Sequence, residues 1–289
     1  MLHRRSIDVA ARTRAARWKP RCGCVILVCA VDNVSFRILG QLEVLVDGRS
    51  MDLPSRRERA LLAVLLLRVG EVVSVDELID SVWGEPAPVS ARHMVHEYVS
   101  RLRAVFGDAS VITTRPPGYA VERDACELDT VRFADLVATA RSAVAAGDPN
   151  EALNRFDVAL GLWRGDALSD VALEGDARAA AARLDDERRS VRSERVDLAL
   201  ALGRHQELIP ELERAVAAEP LDEHALRQLM LALYRSGRQA DALARYREGR
   251  RTLVERSESS PARSCGRSSR RSSATTRRWR CPPRTRPLR

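Results

Sequence analysis

An α+β unit followed by an all-α unit is the fold class this sequence predicts. Three observations carry the prediction. From Phe36 to Val121, short apolar strands alternate with amphipathic helices. From about Asp124 to Glu255 the chain turns Ala/Leu/Arg/Glu-rich and helical in period. Within that stretch, Gly203-Arg-His-Gln-Glu-Leu208 and Gly237-Arg-Gln-Ala-Asp-Ala-Leu243 recur 34 residues apart, the period of tetratricopeptide-like helical hairpins.

The elements follow in order. Phe36–Val46 mixes alternating and continuous apolar positions, as strands do, and Asp47-Gly48 is a hairpin turn that lets Met51–Leu53 pair back. Ser55 caps a first helix carrying Leu61, Leu62, Val64, Leu65, Leu66 and Leu67, ending near Gly70. Ser74-Val-Asp-Glu77 is a capping box opening a short helix with Leu78, Ile79, Val82 and Trp83, closed by Gly84. Ser90 is expected to cap a third helix, whose Val95, Val99, Leu102 and Phe106 form one apolar stripe. Val111-Ile112 and Tyr119–Val121 flank Pro116-Pro-Gly118 as a β-ribbon. A helix with polar and basic groups opposite its buried stripe, followed by such a ribbon, is the order of parts of a winged helix-turn-helix. Breaks at Gly147-Asp-Pro149, Gly165, Gly175, Gly203, Pro220 and Gly237 delimit the later helices.

Charge divides the chain differently from composition. The net charge is +8, but residues 1–34 carry +5 and 256–289 carry +10, leaving −7 over 35–255. Residues 35–123 hold 11 Arg against 12 Asp+Glu, so any phosphate-binding face must gather its cations locally. Residues 1–34 and the Ser/Arg/Pro/Cys-rich 256–289 have no helical or strand period and read as disordered. Val25–Val31 resembles a short signal-peptide core after several Arg residues. A DNA-binding reading argues against export and for a start chosen too far upstream. The six cysteines, Cys22, Cys24, Cys29, Cys126, Cys265 and Cys281, lack zinc-ligand spacing and suit a reducing cytoplasm. No apolar run is long enough for a membrane helix.

The third helix is the expected recognition helix. Arg92, His93, His96 and Ser100 are the candidates for base edges, with Arg to guanine and His or Ser as hydrogen-bonders. Arg101 and Arg103 are expected to hold phosphates, as are Thr113, Thr114 and Arg115 at the ribbon tip. Arg56 and Arg57, where the first helix begins, are further backbone candidates. The loop from Gly84 through Glu85 and Pro86 is exposed and Pro-stiffened and could meet a protein partner. His93 and His96 could share a metal on a helix, but no third ligand joins them. Neither a phosphate-binding Gly loop nor a G-x-S-x-G nucleophile motif occurs. No enzyme activity, cofactor or metal is therefore expected.

With these residues placed, the chain resembles the SARP family of transcriptional activators. Val99-Ser-Arg-Leu-Arg103 and Thr114-Arg-Pro-Pro-Gly-Tyr119 are similar to its OmpR-type winged helix. Ala159-Leu-Gly-Leu-Trp-Arg-Gly-Asp-Ala-Leu168, Leu202–Leu208 and Leu229–Leu243 are similar to its bacterial transcriptional activation domain. The resemblance covers about 36–255, and it places a DNA-binding domain at 35–123 and the helical repeats at 124–255. It implies activation of a secondary-metabolite (antibiotic) gene cluster in the cytoplasm. It further implies side-by-side binding as a dimer to direct repeats in double-stranded DNA, and recruitment of RNA polymerase through its sigma factor. Trp163 and Tyr234 would be packing residues. No receiver-like segment precedes the winged helix here, so phospho-aspartate control within the chain is not expected. An alternative is the front part of a longer regulator whose helical unit senses a partner or ligand. The family usually continues past Leu253-Val-Glu255 with a Leu-Gly-Ile-Glu-Pro-like segment, so the tail here reads as a possible frameshift product.

Overall fold

The computed structural model describes residues 34–107 and 111–258. The expectations about the N-terminal extension, the tail and five of the six cysteines lie outside them, although Val34 opens the first strand and residues 256–258 end the last helix. No helix among the described residues is long and apolar enough to cross a membrane.

The first unit begins as an antiparallel meander of β1 (Val34–Arg37), β2 (Glu43–Val46) and β3 (Arg49–Met51), with Phe36 opposite Val44. Asp47 and Gly48 both adopt positive φ, as a two-residue turn matching the strand twist requires. Helix α1 (Arg56–Leu67) follows; the Glu58 N–H donates to Ser55 Oγ at 3.4 Å. Next come β4 (Val73–Ser74) and α2 (Val75–Trp83), joined by the expected capping box. The Glu77 N–H donates to Ser74 Oγ at 3.2 Å, and the Ser74 N–H donates to the Glu77 carboxylate at 3.0 Å. Helix α3 (Ala91–Phe106) ends at Gly107 in the left-handed conformation. The ribbon of β5 (Ile112–Arg115) and β6 (Gly118–Val121) pairs with β4 in a sheet of order β4-β6-β5.

Ser90 occupies the N-cap position of α3, but its hydroxyl makes no cap hydrogen bond. Its backbone is not in the extended conformation that aims a hydroxyl at the first-turn N–H groups, and its Oγ donates instead to Met94 Sδ at 3.6 Å.

The chain then returns to its start. Strand β7 (Glu127–Leu128) lies parallel to β1, giving the first sheet the order β3-β2-β1-β7. The helices that follow are α4 (Asp129–Ala145), α5 (Pro149–Leu160), α6 (Gly175–Ala201), α7 (His205–Ala218), α8 (Glu223–Arg235) and α9 (Gln239–Glu258). Gly147, Gly203 and Gly237, all at positive φ, sit at the predicted breaks. Gly175 opens α6.

At 27 residues, α6 is about 40 Å long and is the strut of the molecule. Its early Ala177 and Ala181 complete the winged-helix core. Its middle Val191 packs with Phe133, Phe156 and Trp163. Its late Val196, Ala199 and Leu200 pack with Leu212, Leu229 and Leu233. One helix thus takes part in three cores, with small residues where it crosses the first.

Hydrogen bonds seal the seam between the units. The Asp129 carboxylate accepts the Ile38 and Leu39 N–H groups at 2.9 Å. The Leu42 N–H donates to Asp170 at 2.9 Å, Arg59 pairs with Asp170, and the Glu174 N–H donates to the Ser81 carbonyl at 3.1 Å. Trp163 packs as expected, edge-on to Phe133 at 5.5 Å. Tyr234 does not: it is 62% exposed on the outer face of α8, because its position falls opposite the Leu229–Leu233 side that meets α7 and α9.

Candidate nucleic-acid interface

The apolar stripe of α3 is driven inward. Val95, Val99, Leu102 and Phe106 are at most 1% exposed, and Phe106 meets Phe36 edge-on at 5.3 Å. Helical periodicity then turns Arg92, His93, His96 and Ser100 outward, and all four are exposed. The Ser100 hydroxyl has no hydrogen-bond partner among the described residues.

The ribbon stands beside this face because of two devices. At Gly118 the backbone of β6 runs so close to β4 that a Cβ would lie 1.8 Å from the Val73 carbonyl oxygen, so only glycine fits. Arg103 supplies the second device. Its Nε and Nη2 donate to the Ile112 carbonyl at 2.8 and 2.6 Å, Nη2 also donates to Thr114 Oγ1 at 2.9 Å, and its guanidinium lies 5.8 Å over the Tyr119 ring. Arg103, a phosphate candidate, thus ties helix to ribbon. His96 does likewise, sharing a 2.5 Å hydrogen bond between Nδ1 and the Tyr119 hydroxyl.

Most of the remaining candidates carry their own partners. Arg92 is ion-paired with Asp76 of α2. His93 faces Glu97 at 3.4 Å. Arg101 donates to Glu58 at 3.0 Å and lies 3.8 Å from Glu97. The Glu58 side chain is only 8% exposed, so Arg101 neutralises a buried carboxylate. Thr113 Oγ1 donates to Glu122 at 2.6 Å, and Arg115 pairs with the same carboxylate at 2.8 Å. Thr114 is exposed. Arg57 lies 5.4 Å over Trp83, which in turn stacks on Tyr98 at 6.1 Å. Arg56 is exposed, with no carboxylate partner among the described residues. Gly84, at positive φ, turns the chain into an exposed Glu85 and Pro86.

Sequence reading missed that Glu58, Asp76, Glu97 and Glu122 pair with the basic groups of this face. Two signals were available: Glu97 stands four residues from both His93 and Arg101, and Ser55-x-x-Glu58 has capping-box form, although the Glu58 carboxylate turns to Arg101 instead. No group of three or more His, Cys, Asp or Glu suited to a metal occurs among the described residues.

Residues 48–121 match the C-terminal domain of transcriptional regulatory proteins, and residues 128–269 match the bacterial transcriptional activator domain. Regulatory protein DnrI of Streptomyces peucetius is 34% identical over 231 residues, which cover 76% of this chain and 85% of that one. The chain belongs to the SARP family of transcriptional regulators. Regulatory protein AfsR of Streptomyces griseus is 40% identical over 225 residues, and this SARP-family chain spans 23% of its length. A solved structure of Mycobacterium tuberculosis EmbR, in complex with a low-affinity phosphopeptide, is similar with a TM-score of 0.71 and 33% identity. The likeness covers 78% of this SARP-family chain and 60% of that one. The SARP architecture of a winged helix followed by a helical activator unit is thus shared.

Proposed function

We propose that this regulator binds duplex DNA with α3 in the major groove and the β5–β6 ribbon against the adjacent backbone. From the bound site it activates transcription. One observation carries the reading: α3 buries its whole apolar stripe and turns Arg92, His93, His96 and Ser100 outward beside a ribbon held by Arg103 and Gly118. Base readout falls to those four residues. Arg56, Arg57, Thr113, Thr114 and Arg115 serve the backbone, Arg101 contributes at the edge of the helix, and Arg103 acts through the ribbon.

The family resemblance supports a finer picture. Two copies bind side by side on direct repeats upstream of a secondary-metabolite gene cluster. The exposed Gly84–Glu85–Pro86 turn then meets RNA polymerase, chiefly its sigma factor, within the cytoplasm. The 23% share of AfsR that the chain spans favours one alternative, in which the same two units are the front of a longer regulator with a partner-sensing helical unit.

Footprinting on the upstream regions of neighbouring genes tests the reading. Paired protections one or two helical turns apart are expected. Ser100→Ala or Arg92→Ala should cost about 1–3 kcal/mol at one base position and relax its preference. Absence of any protected region would overturn the proposal.

A further inference from the structure

The unit offered here as DNA-binding carries more acid than base: 12 Asp+Glu against 11 Arg over residues 35–123. The carboxylates are not spread at random. Asp76 sits on Arg92, Glu97 lies between His93 and Arg101, and Glu122 holds Arg115. Asp76 comes from α2, Glu97 from α3, where it faces both His93 and Arg101, and Glu122 from the residue just past the ribbon. These pairs are solvated, with the Arg92, Arg101 and Arg115 side chains 54–60% exposed. Pairs of this kind are weak and easily exchanged for another anion.

We propose that Asp76, Glu97 and Glu122 form a carboxylate screen that sets DNA specificity by suppressing sequence-independent binding. The inference rests on the DNA-face reading above. A phosphate approaching Arg92 or Arg115 must displace a carboxylate and leave that negative charge beside the backbone, and one approaching Arg101 meets Glu58 as well as Glu97. Non-cognate DNA, which offers phosphates without matching base edges, gains little from the exchange. A cognate site adds base-edge contacts to Arg92, His93, His96 and Ser100, and these offset the displacement. Discrimination therefore comes from a repulsive element as well as an attractive one.

The test uses the full chain and a mixed-sequence duplex, with affinity read by fluorescence anisotropy between 50 and 200 mM salt. The triple variant Asp76→Asn/Glu97→Gln/Glu122→Gln should bind that duplex about ten-fold more tightly at low salt. Its log K against log[salt] slope should steepen by about 0.9 for each of Arg92 and Arg115, while Arg101 stays on Glu58. A control with the same charge change remote from the face, Glu207→Gln/Glu223→Gln/Glu255→Gln, should give a much smaller gain. Adding Arg92→Ala/Arg115→Ala to the triple variant should abolish most of its gain. Equal gains for the two triple variants, or a gain that survives loss of the arginines, would overturn the screen, because generic charge would then suffice. Failure of the DNA-face reading has a separate signature: Arg56→Ala/Arg57→Ala would leave duplex affinity unchanged. A thermal melt of each variant keeps misfolding from imitating either result.

Discussion

Replacing Gly118 by alanine should detach the ribbon from the body of the winged helix. The added Cβ would lie 1.8 Å from the Val73 carbonyl oxygen and 2.7 Å from Ser74 Cα, both backbone atoms. Side-chain Cβ contacts essentially never fall below 3.0 Å, so β4 and β6 must part by at least about 1.2 Å, the difference between 3.0 and 1.8. Only two residue pairs join these strands, Val73 with Tyr119 and Ser74 with Gly118. Neither can keep its hydrogen-bond geometry through such a shift. Losing about two backbone bonds, at roughly 0.5–1.5 kcal/mol each, together with the residual clash gives about 2–4 kcal/mol. For a chain of this size that corresponds to a fall in Tm of roughly 5–15 °C. Ser74 also caps α2, so the damage should spread into that helix. Thermal melts and duplex binding are the assays, with Gly70→Ala as the comparison. Gly70 has φ +84 and open space around its missing Cβ, so it should cost only about 1 kcal/mol. If Gly118→Ala melts no lower than Gly70→Ala and binds duplex normally, the close approach does not hold the ribbon.

Other outcomes are expected. Arg101→Ala should destabilise by about 1–3 kcal/mol in denaturant titration, because it strands the buried Glu58 carboxylate; adding Glu58→Gln should recover part of the loss. The Glu77 carboxyl is held below its ordinary value of 4.5, first by the Ser74 N–H, then by the Ser74 hydroxyl and Arg68. Its contribution is therefore present above pH 4.5 and lost as pH falls through the lowered value. Glu77→Gln should flatten that part of the acid-unfolding curve and, since the group is half exposed, cost less than about 1 kcal/mol at neutral pH. Burial pushes the Cys126 thiol up to about 11, so it should alkylate far more slowly at pH 7.5 than a free cysteine, followed by mass spectrometry of the folded protein. Comparable rates would mean that the seam around Cys126 opens readily.

The division of labour between sequence and fold can be traced residue by residue. The Asp47-Gly48 turn, the Ser74–Glu77 box, the inward stripe of α3 and the glycine breaks of the helical unit were legible in order. Each depends on neighbours within a few positions, where backbone preference and periodicity act directly. Partner choice across the chain was not legible. Arg103 had the look of a phosphate ligand, yet the Ile112 carbonyl engages it; Tyr234 had the look of packing, yet it faces solvent. Glu58 could reach its own cap or any cation brought near, and only the crossing of α1 and α3 selects Arg101, 43 residues away.

The same distinction holds for the whole molecule. Local patterning by itself specified two units, their elements, and a helix with a polar face beside a ribbon. Only the tertiary arrangement decided that β7 returns to β1, that α6 threads three cores, and which arginines of that face already carry carboxylates. The physical reason is range: hydrogen-bonded turns and burial periodicity are written over about four residues. An ion pair or a shared core instead depends on distances that exist only after distant segments have packed.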